Sequence, residues 1–158
     1  MLKKNDLSIL GMLRKNARMS LTKIGKKTKV PISTVYDRMR HHEKSAIKKY
    51  TTLLDFNEFG FTTRVHMLIA MPKEKRKEAE QFFCKHHNVN SVYKINNNYE
   101  FLIEAVFKHI KQLEDFNDLL EQRFNTTTIE VHHIIYDIVR EAFMEDPNIS
   151  KALIKDKE

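Results

Sequence analysis

Between positions 23 and 44 the chain gathers residues suited to holding a polyanion. Lys23, Lys26, Lys27 and Lys29 are followed by Ser33, Thr34, Tyr36, Asp37, Arg38, Arg40, His41 and Lys44. Ammonium groups neutralise phosphates whatever the base sequence and release their counterions. Hydroxyls and guanidinium groups can bond phosphates or base edges, and a carboxylate can accept from a cytosine amino group. For any single lysine a solvated surface is the ordinary expectation; the argument concerns the set. Asp37 is repelled by phosphate, so pairing with Arg38 or Arg40 is its expected structural use. Arg38 lies near the inward side and has two open roles, orienting its helix or touching a phosphate. Lys3, Lys4, Lys48 and Lys49 flank the set.

Other reactive side chains are less organised. Three doublets, His41-His42, His86-His87 and His132-His133, stand out. Neighbours on a helix or strand point apart, so a doublet rarely gives two ligands to one metal, and no metal site is expected. Cys84 sits amid Phe82 and Phe83 and reads as a small core residue in a reducing compartment. There is no Gly-rich phosphate loop, no HExxH and no supported Ser/His/Asp order. The expectation is a binding protein without catalytic residues or a bound cofactor.

Charge is divided along the chain. Residues 1–50 carry fourteen Lys/Arg and only Asp6, Asp37 and Glu43 as acids, a net of +11. Residues 51–158 carry fourteen bases and eighteen acids, a net of −4. A cationic block joined to a mildly acidic one suggests a module for a polyanion beside a module with another task. Nucleic acid is preferred to a membrane surface, since membrane-binding stretches usually add an exposed apolar face. No apolar run is long enough to cross a bilayer, and the first residues lack the features of a secretory signal, so a cytoplasmic address is expected.

Periodicity assigns the elements that must position these groups. Asn5 or Asp6 can cap a helix to about Lys15, with Leu7, Ile9, Leu10 and Leu13 inward. Ser20 can cap a second, Leu21 to about Thr28. Pro31 suits the first turn of a third, whose inner stripe is Val35, Met39 and His42. Three helices with a tight turn before the third make a helix-turn-helix signature over residues 1–50. Ile47–Asp55 is β-prone and reads as a wing, with 51–60 as a linker ending at Gly60. Residues 61–140 then alternate as strand, helix, strand, strand, helix, strand: Thr62–Met71, Pro72–His87, Asn90–Ile95, Tyr99–Phe107, Lys108–Phe124 and Thr127–Val139. Asn96-Asn97-Asn98 suits the hairpin turn, because Asn tolerates positive φ. The fold class expected is therefore α+β, an N-terminal (winged) helix-turn-helix followed by a ferredoxin-like βαββαβ domain, with 141–158 as a C-terminal extension.

In such a domain both helices cover one sheet face. Leu68, Ala70, Leu102, Val106, Ile134 and Tyr136 fall on the other. An uncovered apolar face wants a partner, most simply a second copy by two-fold symmetry; the C-terminal segment from Arg140 is the alternative cover.

These segments together resemble the Lrp/AsnC family of transcriptional regulators. The resemblance rests on Asp6-Leu7-Ser8-Ile9-Leu10, Asn16-Ala17-Arg18-Met19-Ser20, Lys23-Ile24-Gly25, Ser33-Thr34-Val35-Tyr36-Asp37-Arg38-Met39, and Ile47-Lys48-Lys49-Tyr50 leading to Leu54-Asp55. It implies sequence-specific binding of double-stranded DNA at pseudo-palindromic operators by a dimer or higher oligomer. It also implies an amino-acid effector near Asn97, Asn98, Tyr99 and Glu100. The chain departs from the family at Lys44-Ser45-Ala46, where a glycine is usual, and in the hairpin, where glycine and aspartate are usual. Two alternatives stay open: an architectural DNA-binding protein without effector, and an enzyme resembling the sirohaem decarboxylases, which share the layout and bind a tetrapyrrole.

Overall fold

The computed structural model describes residues 4–146, and the expectations placed on Lys3 and on 147–158 lie outside them. The chain forms two compact units. The first contains the residues up to Leu53 with the segment from Ile138, and the second is Leu54–Asp137.

In the first unit, α1 (Lys4–Lys15), α2 (Leu21–Thr28) and α3 (Ile32–Glu43) enclose a core of Ile9, Leu13, Ile24, Val30 and Val35. Ser20 caps α2, its side chain accepting from the Lys23 N–H at 3.3 Å. Asp6 caps nothing: α1 begins earlier, and the Asp6 carboxylate is buried in its first turn. Lys29 ends α2 in the left-handed conformation, φ 56°, and Pro31 with φ −55° opens α3. This turn passes so close to α2 that only glycine fits at position 25. A Cβ there would stand 2.9 Å from the Val30 carbonyl oxygen. The β-prone stretch Ile47–Asp55 forms no strand. Ile47 returns to the helices through its N–H bond to the His42 carbonyl at 2.8 Å, and the residues beyond it have no ladder partner and stay exposed. The described part of the C-terminal segment is tied to α1: Arg14 Nη2 donates to the Glu141 carbonyl and carboxylate at 2.6 and 2.7 Å.

The second unit follows the expected order. Strands β1 (Thr63–Ala70), β2 (Val89–Lys94), β3 (Phe101–Phe107) and β4 (Thr128–His133) form one antiparallel sheet, ordered β2-β3-β1-β4. Helices α4 (Arg76–Phe83) and α5 (Ile110–Phe124) pack on the face carrying Val65, Met67, Ile69, Phe101, Ile103, Ala105 and Phe107. Two elements stop well short of the ends that periodicity suggests. A 3-10 turn, Lys73–Lys75, precedes α4, which stops at Phe83 so that the His86 ring can lie on Phe82 and Phe116; Cys84 is exposed just beyond, not in the core. β4 ends at His133, because Asp137 turns to Arg64, whose Nη1 reaches both carboxylate oxygens at 2.8 Å.

The sheet face away from the helices is mixed. Leu68, Ala70, Leu102 and Val106 alternate along it with Arg64, His66 and Glu104. Glu104 is buried and fully used: it accepts from Arg64 Nε at 2.6 Å and Asn90 Nδ2 at 2.8 Å. Tyr136, expected there, lies beyond β4 and is exposed.

The tight turn gives a first prediction. Gly25→Ala should lower the stability of the first unit by about 1–3 kcal/mol through overpacking against backbone. Urea unfolding monitors it, and an unchanged midpoint would show that the turn is looser than described.

Candidate nucleic-acid interface

Helix α3 has one side committed and one side free. Val35 and His42 are buried and Met39 is packed on the core. Ser33, Tyr36, Asp37, Arg40, His41 and Lys44 are exposed, while Thr34 and Arg38 lie half-buried at the margin. Lys23, Lys26, Lys27 and Lys29 are all exposed on α2 and the turn that follows it. The first unit therefore presents the whole set singled out by residue type except Arg38 and, in part, Thr34. Its cations sit on a short helix directly preceding the polar helix, the arrangement in which the first helix crosses a phosphate backbone and the second enters a groove.

Arg38 has a different occupation. Its Nη1 donates to Asp6 Oδ1, and His42 Nε2 lies 3.2 Å from the same oxygen. A buried carboxylate is costly unless paired, and this one sits in the first turn of α1, where the helix dipole also favours it. One carboxylate thus joins α1 to two successive turns of α3 and sets the rotation of α3 about its axis. The expected partnership of Asp37 with Arg38 or Arg40 is not formed: Arg38 is taken by Asp6, and Asp37 makes no ion pair among the described residues. The sequence alone offers Asn5 or Asp6 as the cap of α1. The true role of Asp6 was hidden because its partner lies thirty-two residues on, although Arg38 at i and His42 at i+4 on the inner side was a usable signal.

In the second unit the hairpin residues are held from within. Asn97 adopts φ 67°, as its turn requires. Tyr99 precedes β3 rather than belonging to it, and its hydroxyl bonds Glu130, which holds the phenol above its ordinary pKa. Glu100 Oε2 accepts the Met71 N–H at 2.9 Å, and Oε1 pairs with Arg76. Asn97 and Asn98 are exposed. Among the described residues no three His, Cys, Asp or Glu side chains come together as metal ligands, and no helix is long and apolar enough to cross a membrane.

Known proteins share this arrangement. Residues 2–41 match the family described as winged helix-turn-helix DNA-binding. An uncharacterized HTH-type transcriptional regulator of Pyrococcus abyssi is 31% identical over 115 residues, 70% of this chain and 74% of that protein. A second from the same organism is 29% identical over 150 residues, 93% of this chain and all of the other. The solved structure of Bacillus subtilis LrpC superposes with a TM-score of 0.80 at 21% identity, over 88% of this chain and 98% of that one. The chain belongs to the HTH-type transcriptional regulators. Its fold is the one seen in the Lrp/AsnC structures. Like its relatives in this family it is a DNA-binding regulator, not an enzyme, and the tetrapyrrole alternative is set aside. Within the Lrp/AsnC frame, α3 occupies the position of the second helix of the helix-turn-helix.

If Arg38 positions α3 rather than binding phosphate, removing its partner has a separable signature. Asp6→Asn should destabilise the first unit by about 3 kcal/mol, the scale of breaking a largely buried pair. It should weaken duplex binding while leaving the slope of log affinity against log salt unchanged. In the same fluorescence-anisotropy titrations Arg38→Gln should also leave the slope unchanged, and a flatter slope for that variant would show that Arg38 contacts phosphate after all.

Proposed function

We propose that two copies of this protein bind a pseudo-palindromic operator in the cytoplasm, each laying the exposed side of α3 into the major groove. The observation that carries this reading is the free side of α3, Ser33 to Lys44, on a unit whose sequence has a net charge of +11 up to residue 50. Ser33 and Thr34, at the start of the helix, meet phosphate or base edges. Arg40 addresses guanine or backbone, and Asp37, in no ion pair among the described residues, accepts from a cytosine amino group. His41 and Lys44, toward the helix end, and Lys23, Lys26, Lys27 and Lys29 meet phosphates and fix the register without reading sequence. Arg38 holds α3 at the angle this needs. The second copy is recruited through the sheet face away from the helices, where Leu68 and Leu102 are half-exposed.

An amino-acid effector near Asn97–Glu100 would have to compete with Met71 and Arg76 for Glu100, and with Glu130 for the Tyr99 hydroxyl. That internal pairing favours the second reading, an architectural DNA-binding protein without an effector at this hairpin.

Selection of bound duplexes from a random pool, followed by salt titration of the best one, tests the proposal. It predicts two related half-sites spaced by about one helical turn. Affinity should fall steeply with salt, and Lys26→Gln with Lys27→Gln should flatten the slope by about one unit for each phosphate that is no longer neutralised. Recovery of unrelated sequences with no half-site repeat would favour the architectural alternative. A salt-independent affinity would remove the phosphate contacts from the account.

A further inference from the structure

Two residues on the free side of α3 are not polar. Ile32, its first residue, is 49% exposed, and Tyr36, one turn on, is 50% exposed. Residues four apart on a helix are neighbours on one face, so the two make a continuous apolar strip, bordered by Ser33, Asp37 and Arg40. Neither side chain belongs to the helical core, which Ile9, Leu13, Ile24, Val30 and Val35 form. Exposed apolar groups at the start of a helix whose other free groups suit a polar groove call for an apolar feature in that groove.

We infer that Ile32 and Tyr36 read thymine through its 5-methyl group. This rests on the reading that α3 enters the major groove, and goes beyond it by assigning base preference to particular side chains. The thymine methyl is the one apolar group on the major-groove edges of the base pairs, and it marks A·T pairs and their orientation. The first residues of a recognition helix are those that reach base edges. Ile32 is also well prepared for a shape-based contact. It is β-branched, so its χ1 is nearly fixed within a helix. Its Cγ1 lies 3.5 Å from where a Cβ on Gly25 would stand, which rests one edge of the side chain on α2 and leaves the other facing outward. The glycine that allows the tight turn therefore also seats the isoleucine. Tyr36 adds a ring face one turn along, with a hydroxyl free to bond phosphate or base. An aliphatic group makes no hydrogen bond, so its discrimination comes from burying the methyl, and a base without that methyl leaves a gap.

The test uses the best duplex from selection and a copy in which every thymine is replaced by uracil, which removes only the methyl groups. The full-length protein should lose about fourfold in affinity for each contacted methyl removed. The double variant Ile32→Ser, Tyr36→Ser should bind both duplexes equally. Tyr36→Ala, at a side chain outside the helical core, should lose part of the uracil penalty and guards against a double variant that fails to fold. The inference is overturned if the natural protein binds the two duplexes alike, or if both variants keep its full penalty. Failure to bind any duplex would overturn the docking reading and this inference with it. Binding without methyl sensitivity would overturn this inference alone.

Discussion

A carboxylate buried in the first turn of α1 governs what this protein can show to its surroundings. Asp6 cannot be left alone in a small core, and the two groups that meet it, Arg38 and His42, lie one turn apart on α3. Apolar packing by Val35 would hold α3 against α1 and α2 yet tolerate rotation by a fraction of a turn. A directional ion pair does not. With that rotation set, Ser33, Tyr36, Asp37 and Arg40 face outward together, and the lysines of α2 lie on the element just before them.

The second unit solves a different problem with the same economy of charge. Its helices bury one side of the sheet with large apolar side chains, and the opposite side mixes Leu68, Leu102 and Val106 with a closed ionic cluster. Arg64 there joins Glu104 and Asp137, and Asn90 completes Glu104. A surface built this way can be covered by a copy of itself without stranding a buried charge, because its ions are already satisfied. The hairpin follows the same rule, with Glu100 and Tyr99 both engaged internally.

Much of this was legible in the residues themselves. Helical spacing, the Ser20 cap and Pro31 gave the three helices nearly to the residue, and strand alternation gave the order of the second unit. What stayed hidden depended on distant partners. Asp6 looked like a cap until α3 supplied its cation, and Asp37 looked paired until Arg38 proved to be taken. Ile47–Asp55 had β-prone residues, but a strand needs a neighbour and none is present among the described residues. The last strand looked longer because Ile134–Val139 is apolar but for Asp137, and the pull of Arg64 on Asp137 is invisible without the sheet register. Ile32 escaped notice for the opposite reason: an apolar residue at a helix start reads as core until its exposure is known.

The central claim is that the outward side of α3 is the surface that meets DNA. An amide-resolved NMR titration of the full chain with an operator duplex addresses it directly. The account predicts that the largest changes fall on Ile32 to Arg40, with smaller ones around Lys26 to Lys29. Changes confined to the strands and hairpin of Leu54–Asp137, with α3 silent, would contradict it.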